Sequence, residues 1–94
     1  MSGNEVNIFV RGIVGCNIRR IRVEQGLTQG QLAVMANVGR SFLSEVERGK
    51  QNVSLDHLSK LADGLDVPIT RFFEGLNGDR PAIVHETLGA RGKR

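Results

Sequence analysis

Residues 27–49, LTQGQLAVMANVGRSFLSEVERG, constrain the fold more than any other stretch, because they set two short helical runs almost end to end. Thr28 stands where a helix N-cap is wanted, and Gln31 follows three residues later. A hydroxyl at the cap accepts from the N3 backbone N–H, and a Gln at N3 reaches back to the cap's own N–H. Leu32, Ala33 and Ala36 then fall on one helical stripe. Asn37 follows, the non-glycine residue that best tolerates left-handed backbone. Gly39 opens a second run, residues 40–48, with Leu43 and Val46 facing inward, and Gly49 ends it. Two helices this close need a small residue where they meet, and Ala33 supplies it. The pattern is that of two helices joined by a tight turn, the second able to lie in a DNA groove.

The flanks extend the helical reading. From Ile13 on, Val14, Ile18 and Ile21 recur at i, i+4 and i+7, while Arg19, Arg20 and Arg22 cover much of the remaining surface. Gly26 stops this first helix. Residues 1–5 are small and polar and are expected to fray. Residues 6–10 are apolar and suit either a helix start or a short extended arm. Beyond the polar loop at 49–52, Ser54 caps a fourth helix whose apolar face is Leu55, Leu58, Leu61, Ala62 and Leu65. Pro68 suits the first position of a short fifth helix, 69–73, ended by Gly75. After Leu76 the chain turns rich in Gly and charge; 82–88 suits a transient helix and the rest a disordered tail. No segment alternates as a strand would. The expected fold is all-α: an arm or helix extension at 1–10, a compact five-helix domain at 11–76 with its two-helix motif at about 28–49, and a flexible tail at 77–94.

Length and composition agree with one small domain. The chain has 94 residues, 39% of them hydrophobic, and its four aromatics are all Phe, so aliphatic side chains must build the core. No apolar run approaches the roughly 20 residues that cross a bilayer, and no secretory leader pattern opens the chain, so a cytoplasmic protein without membrane contact is expected. Cys16 is the only cysteine and is expected in or near the core. His57 and His85 lie far apart, His57 as a solvated surface residue, and no metal-ligand spacing appears. There is likewise no catalytic cluster and no phosphate-binding glycine loop, so neither an enzyme nor a cofactor is expected. The net charge of +3 is unevenly spread: residues 11–50 hold seven basic and three acidic side chains, residues 51–78 two basic and four acidic. One basic face on a polyanion fits that division.

The sequence resembles a family. The Arg-rich first helix ending in Ile21-Arg22, Gly26-Leu27-Thr28-Gln29, Leu32-Ala33, Arg40-Ser41, Leu43 and Val46-Glu47-Arg48-Gly49-Lys50 look like the phage repressor/Cro type, or XRE-like, helix-turn-helix domain. Asn52-Val53-Ser54-Leu55, Leu61-Ala62, Val67-Pro68 and Phe72-Phe73 continue the match, which covers about residues 13–74. The chain departs from the pattern at Asn37, where Gly is usual, at Gly39, where Ser or Thr often caps, and at Val53, where Pro is common. With Gly30, these departures suggest that the second and third helices are loosely set.

The resemblance implies roles. Arg40, Ser41 and Glu45 take the base-facing positions of the recognition helix. Arg pairs with guanine O6 and N7, Ser donates or accepts, and Glu accepts from a cytosine amino group unless it orients Arg40 instead. Phe42 either touches a thymine methyl or packs on the first helix, and packing is favoured. Gln29, at the positive end of the second helix, is expected to bind phosphate, as are Arg48, Lys50, Gln51 and Asn52 on the rim beyond the recognition helix. Arg22 and Glu47 are expected to form a structural ion pair rather than to touch DNA. Family members bind double-stranded DNA as two-fold dimers on half-sites about 34–36 Å apart. The expected dimer surface here is Ile69, Phe72, Phe73 and Leu76, with Phe72 the one of the two phenylalanines that turns inward. The expected function is a sequence-specific transcriptional regulator acting as a homodimer on a palindromic operator. The alternative is an antitoxin or similar protein whose tail binds a protein partner.

Overall fold

The computed structural model describes the backbone of residues 2–76 and the side chains of residues 8–76. The expected flexible tail, its 82–88 helix and His85 lie outside the described residues. Four α-helices, α1 (Ser2–Glu24), α2 (Gln29–Ala36), α3 (Arg40–Glu47) and α4 (Leu55–Leu65), are followed by a 3₁₀ helix, Ile69–Phe73. Among the described residues there is no strand. The fifth helix is thus a single tight turn, entered from Pro68 with extended backbone. The open question at 6–10 resolves as helix: α1 continues unbroken from Ser2, so those residues form no extended arm. Val10 extends the Val14–Ile18–Ile21 stripe one turn back and packs against the core.

Local signals place each helix end. α1 closes on Gly26, at φ 75°, where the Leu27 N–H reaches the Arg22 carbonyl at 3.1 Å and the Gly26 N–H that of Val23 at 2.9 Å. These are the paired bonds of a left-handed C-cap. α2 opens with Thr28 and Gln31 in the reciprocal capping box, at 3.0 and 2.8 Å. It closes on Asn37 at φ 58°, and the Val38 N–H then bonds the Ala33 carbonyl. α4 opens on Ser54 and closes on Asp66, also at φ 58°. The left-handed Asp66 carries no glycine to announce it.

The core joins Val14, Ile18 and Ile21 of α1 to Leu32, Ala33 and Ala36 of α2, Leu43 and Val46 of α3, and Leu58, Leu61, Ala62 and Leu65 of α4, closed by Phe72. α2 packs on α4, and α1 on α3 and the 3₁₀ helix. Two expectations fail on this packing, and a third is narrowed. Leu55 is 73% exposed, because it is the first residue of α4 and lies short of the buried stripe that starts at Leu58. Cys16 is exposed, since Val14, Asn17 and Ile18 hold the inward face of that turn. Phe72 turns inward as expected and is fully buried, which removes it from the expected dimer surface.

Glycines mark the closest helix crossings. A Cβ on Gly64 of α4 would sit 3.3 Å from both Ala36 Cβ and Leu32 Cδ1 of α2. A Cβ on Gly15 of α1 would overlap the Val46 carbonyl oxygen and lie 2.9 Å from that of Glu47. The end of α3 therefore rests directly on the α1 backbone. Gly49, at φ 73°, continues the contact, with its Cβ position 3.1 Å from Gly12 Cα. Asn17 fastens the other side of α1: its Nδ2 donates to the Phe72 and Glu74 carbonyls at 2.8 and 2.9 Å.

Candidate nucleic-acid interface

α3 is about two turns long, too short to persist alone, so its orientation comes from what holds it. Leu43 and Val46 anchor its inner face. Arg22 meets Glu47 in a two-pronged ion pair, Nε to Oε2 at 2.6 Å and Nη2 to Oε1 at 2.9 Å. The side chains are 10% and 2% exposed. Two further bonds engage the pair: Arg22 Nη1 donates to the Leu27 carbonyl at 2.8 Å, and Gln29 Nε2 donates to Glu47 Oε1 at 3.0 Å. Hydrogen bonding to Glu47 holds the Arg22 guanidinium above its usual pKa, burial works against this, and the charge of Glu47 adds to it. The pair joins the end of α1 to the end of α3 and the start of α2.

The outer face of α3 is polar and open. Gln29, Arg40, Ser41, Ser44, Glu45 and Arg48 line one shallow groove. Arg40, Ser41 and Arg48 are exposed, while Gln29, Ser44 and Glu45 are half-buried. Ser44 was not among the sequence candidates, although it stands four residues from Arg40 and on the same face. The N–H groups of Gln29 and Gly30, in the first turn of α2, have no intrahelical partner. Gly39 caps α3 without a side-chain acceptor, so the α3 start also keeps free donors.

Two side chains expected on phosphate have partners within the protein. Gln29, expected on phosphate, is engaged with Glu47. Gln51, also expected on phosphate, donates to Glu45 Oε1 at 2.7 Å. Glu45 therefore bonds Gln51, and no bond joins it to Arg40 among the described residues. Lys50 and Asn52 are exposed on the rim, but Gln51 and Asn52 face a mostly apolar depression beside Val10, Val14 and Phe73. Phe42 packs against the core, as favoured, with its ring beside His57 of α4: the ring centroids are 4.7 Å apart and tilted by 44°. His57 is consequently half-buried, with Nδ1 2.8 Å from Ser54 Oγ. No group of three or more His, Cys, Asp or Glu side chains among the described residues is arranged to hold a metal ion.

Residues 18–72 match the family model described as Helix-turn-helix. The chain belongs to the XRE-type helix-turn-helix family. Its matched region holds every element from the middle of α1 to the 3₁₀ helix. The immunity repressor protein of Bacillus phage phi105 is 44% identical over 57 residues, covering 61% of this chain and 40% of the repressor. The chain thus spans well under half the length of that relative. The control protein C.BamHI of Bacillus amyloliquefaciens is 36% identical over 59 residues, covering 62% of this chain and 73% of that protein. Among solved structures, the restriction-modification controller protein C.AhdI from Aeromonas hydrophila superposes with a TM-score of 0.66 at 38% identity, over 67% of this chain and 96% of that one. The controller protein C.Esp1396I, solved as a tetramer on its natural 35 base-pair operator, gives 0.67 at 35% identity, over 76% and 93% of the two chains.

Proposed function

We propose that this chain is a transcriptional regulator that binds a palindromic operator as a homodimer, with α3 in the major groove. The observation that carries the reading is the division of labour on α3. Its inner face and C-terminal end are fixed by Gly15, Arg22 and the core, while Arg40, Ser41 and Ser44 are left free on the opposite face. A helix held firmly on one side and polar on the other is what major-groove reading requires.

Arg40 is assigned to guanine and Ser41 and Glu45 to neighbouring base edges. Exposed Arg48, Lys50 and Asn52, with the α2 N-terminus and Gln29, are assigned to phosphates. Gln29 then either leaves Glu47 or uses its second amide hydrogen. The dimer surface is reduced to Ile69, Phe73 and Leu76, which are half-buried where Phe72 is enclosed. The relatives named as a phage repressor and as restriction-modification controllers support operator binding, and a cytoplasmic location follows from that role. Among the described residues no helix is long and apolar enough to cross a membrane.

The test is selection of bound DNA from a random pool at stated salt, with Arg40→Ala in parallel. The wild type should enrich a two-fold symmetric site. The variant should lose about 1–3 kcal/mol of discrimination at one guanine per half-site. If the wild type enriches no symmetric site, the regulator reading fails; if the variant keeps the full preference, the assignment of Arg40 fails.

A further inference from the structure

A carboxylate on a DNA-facing surface has a cost, because it repels the phosphates that supply most of the affinity. Glu45 lies in the polar groove of α3, yet it is the one acidic side chain there, among Gln29, Arg40, Ser41, Ser44 and Arg48. It is also the one whose carboxylate is held by a residue from the following loop. Gln51 Nε2 donates to Glu45 Oε1 at 2.7 Å.

The backbone sets up this contact. The Glu45 carbonyl accepts the Lys50 N–H at 2.9 Å, which folds the loop back over the end of α3. That fold runs through Gly49, at φ 73°, packed against the Gly12 backbone of α1. Gln51 is therefore delivered to Glu45 by the scaffold, and both side chains are half-buried. An ionised carboxylate only accepts hydrogen bonds, through about four lone-pair sites on two oxygens. With Oε1 held by Gln51, Oε2 remains as a fixed acceptor. In the major groove the base group that donates without an adjacent acceptor on the same base is the cytosine amino group.

We infer that Gln51 is a positioning residue for base reading, holding Glu45 so that its second carboxylate oxygen selects a cytosine beside the guanine read by Arg40. This rests on the operator-binding reading above and replaces the expectation that Gln51 contacts phosphate. A hydrogen-bonded carboxylate loses less rotamer freedom on binding, so its discrimination rises when the partner is present.

The test uses the full chain, with DNA pools that differ only at the base pairs next to the enriched guanine. Wild type should prefer C·G there by about tenfold, and Glu45→Gln should abolish or change that preference. Gln51→Leu should weaken the same preference at least about threefold while leaving the affinity for sites without that cytosine unchanged. Gln51→Arg, which keeps a donor on a long side chain, should restore it. A Gln51→Leu variant that folds as wild type and loses affinity equally for all sequences would show a phosphate contact and overturn the inference. So would equal loosening by Gln51→Leu and Gln51→Arg, or a wild type indifferent to the base pair at this step. An enriched operator without this cytosine preference would leave the regulator reading standing and remove only this one; no enriched operator would remove both. Thermal melts of each variant, compared with wild type, separate misfolding from a change in reading, because an unfolded variant loses affinity for every sequence.

Discussion

Gly15→Ala tests whether α3 is seated on the α1 backbone as closely as the structure places it. The new Cβ would overlap the Val46 carbonyl oxygen and approach the Glu47 oxygen and carbon to 2.9 and 3.0 Å. These are backbone atoms, and the Val46 oxygen is already bonded to the Gly49 N–H at 3.0 Å. Neither can swing aside as the tip of a side chain would. Relief requires α3 to move off α1 by more than about 1 Å to restore ordinary contact distance. That displacement carries Glu47 away from Arg22, across bonds of 2.6 and 2.9 Å. Alanine returns about 0.5–1 kcal/mol of helix propensity. Overpacking costs about 1–3 kcal/mol, and full loss of a buried pair about 3–5 kcal/mol. With the pair only partly stretched, the net destabilisation is about 2–4 kcal/mol, which lowers Tm by about 10–25 °C in a domain of this size. Gly12→Ala is the matched control: nothing lies within 4 Å of its Cβ position, and it sits in the same helix. It should stabilise by about 0.5–1 kcal/mol. Urea and thermal unfolding followed by circular dichroism measure both. If Gly15→Ala is as stable as the parent, or if the two alanines behave alike, the close seating of α3 is wrong.

Arg22→Ala should destabilise by about 3–5 kcal/mol, because it strands a nearly enclosed Glu47 carboxylate, and Arg22→Met with Glu47→Leu should recover most of the loss; a stable single variant in urea unfolding would contradict the buried pair. Asn17→Ala frees the Phe72 and Glu74 carbonyls, should cost about 1–3 kcal/mol, and should speed amide hydrogen exchange in the 3₁₀ helix; unchanged exchange there would show that Asn17 does not fasten it. Gly39→Ser should raise stability by a few tenths of a kcal/mol, since φ −72° and ψ 144° suit a capping serine and its Cβ would meet only Phe42 Cβ at 3.9 Å; a lower Tm would mean that the α3 start is more crowded than that.

What the sequence displayed was local. The Thr28–Gln31 box, the left-handed Asn37, the Ser54 cap and the Gly26 and Gly49 stops each depend on residues within about one helical turn, so their signals lie side by side in the chain. The inward stripe from Val14 to Leu65 was readable for the same reason, apart from Leu55 at a helix start. The crossings were not readable. A glycine in a helix says that space is short somewhere, but Gly15 does not name Val46 as its neighbour, nor Gly64 name Ala36. Asn17 looked like one more polar residue on α1 until the carbonyls of the 3₁₀ helix, more than fifty residues away, came within reach of its amide. Arg22 and Glu47 were named as a pair only through the family resemblance, because no spacing in the sequence brings residues 22 and 47 together.

The same division explains why the interface was the hardest part to read. α3 is fixed from three sides, by the glycine-lined α1 backbone, by the Arg22–Glu47 pair, and by Phe42 lodged against His57 of α4. None of these attachments uses Arg40 or Ser41. Those two side chains can therefore change without disturbing the fold, and nothing in the scaffold's sequence records what they face. Gln51 and Gln29 look, in sequence, like polar residues of a solvated rim. In the structure both are spent on carboxylates of α3, one on Glu45 and the other on Glu47. Two glutamines thus reach back from flanking segments to the same short helix and hold its carboxylates in place. On the operator-binding reading proposed above, phosphate contact then rests mainly on Arg48, Lys50, Asn52 and the N-terminus of α2, and base choice on a helix whose two acidic side chains already have partners within the protein.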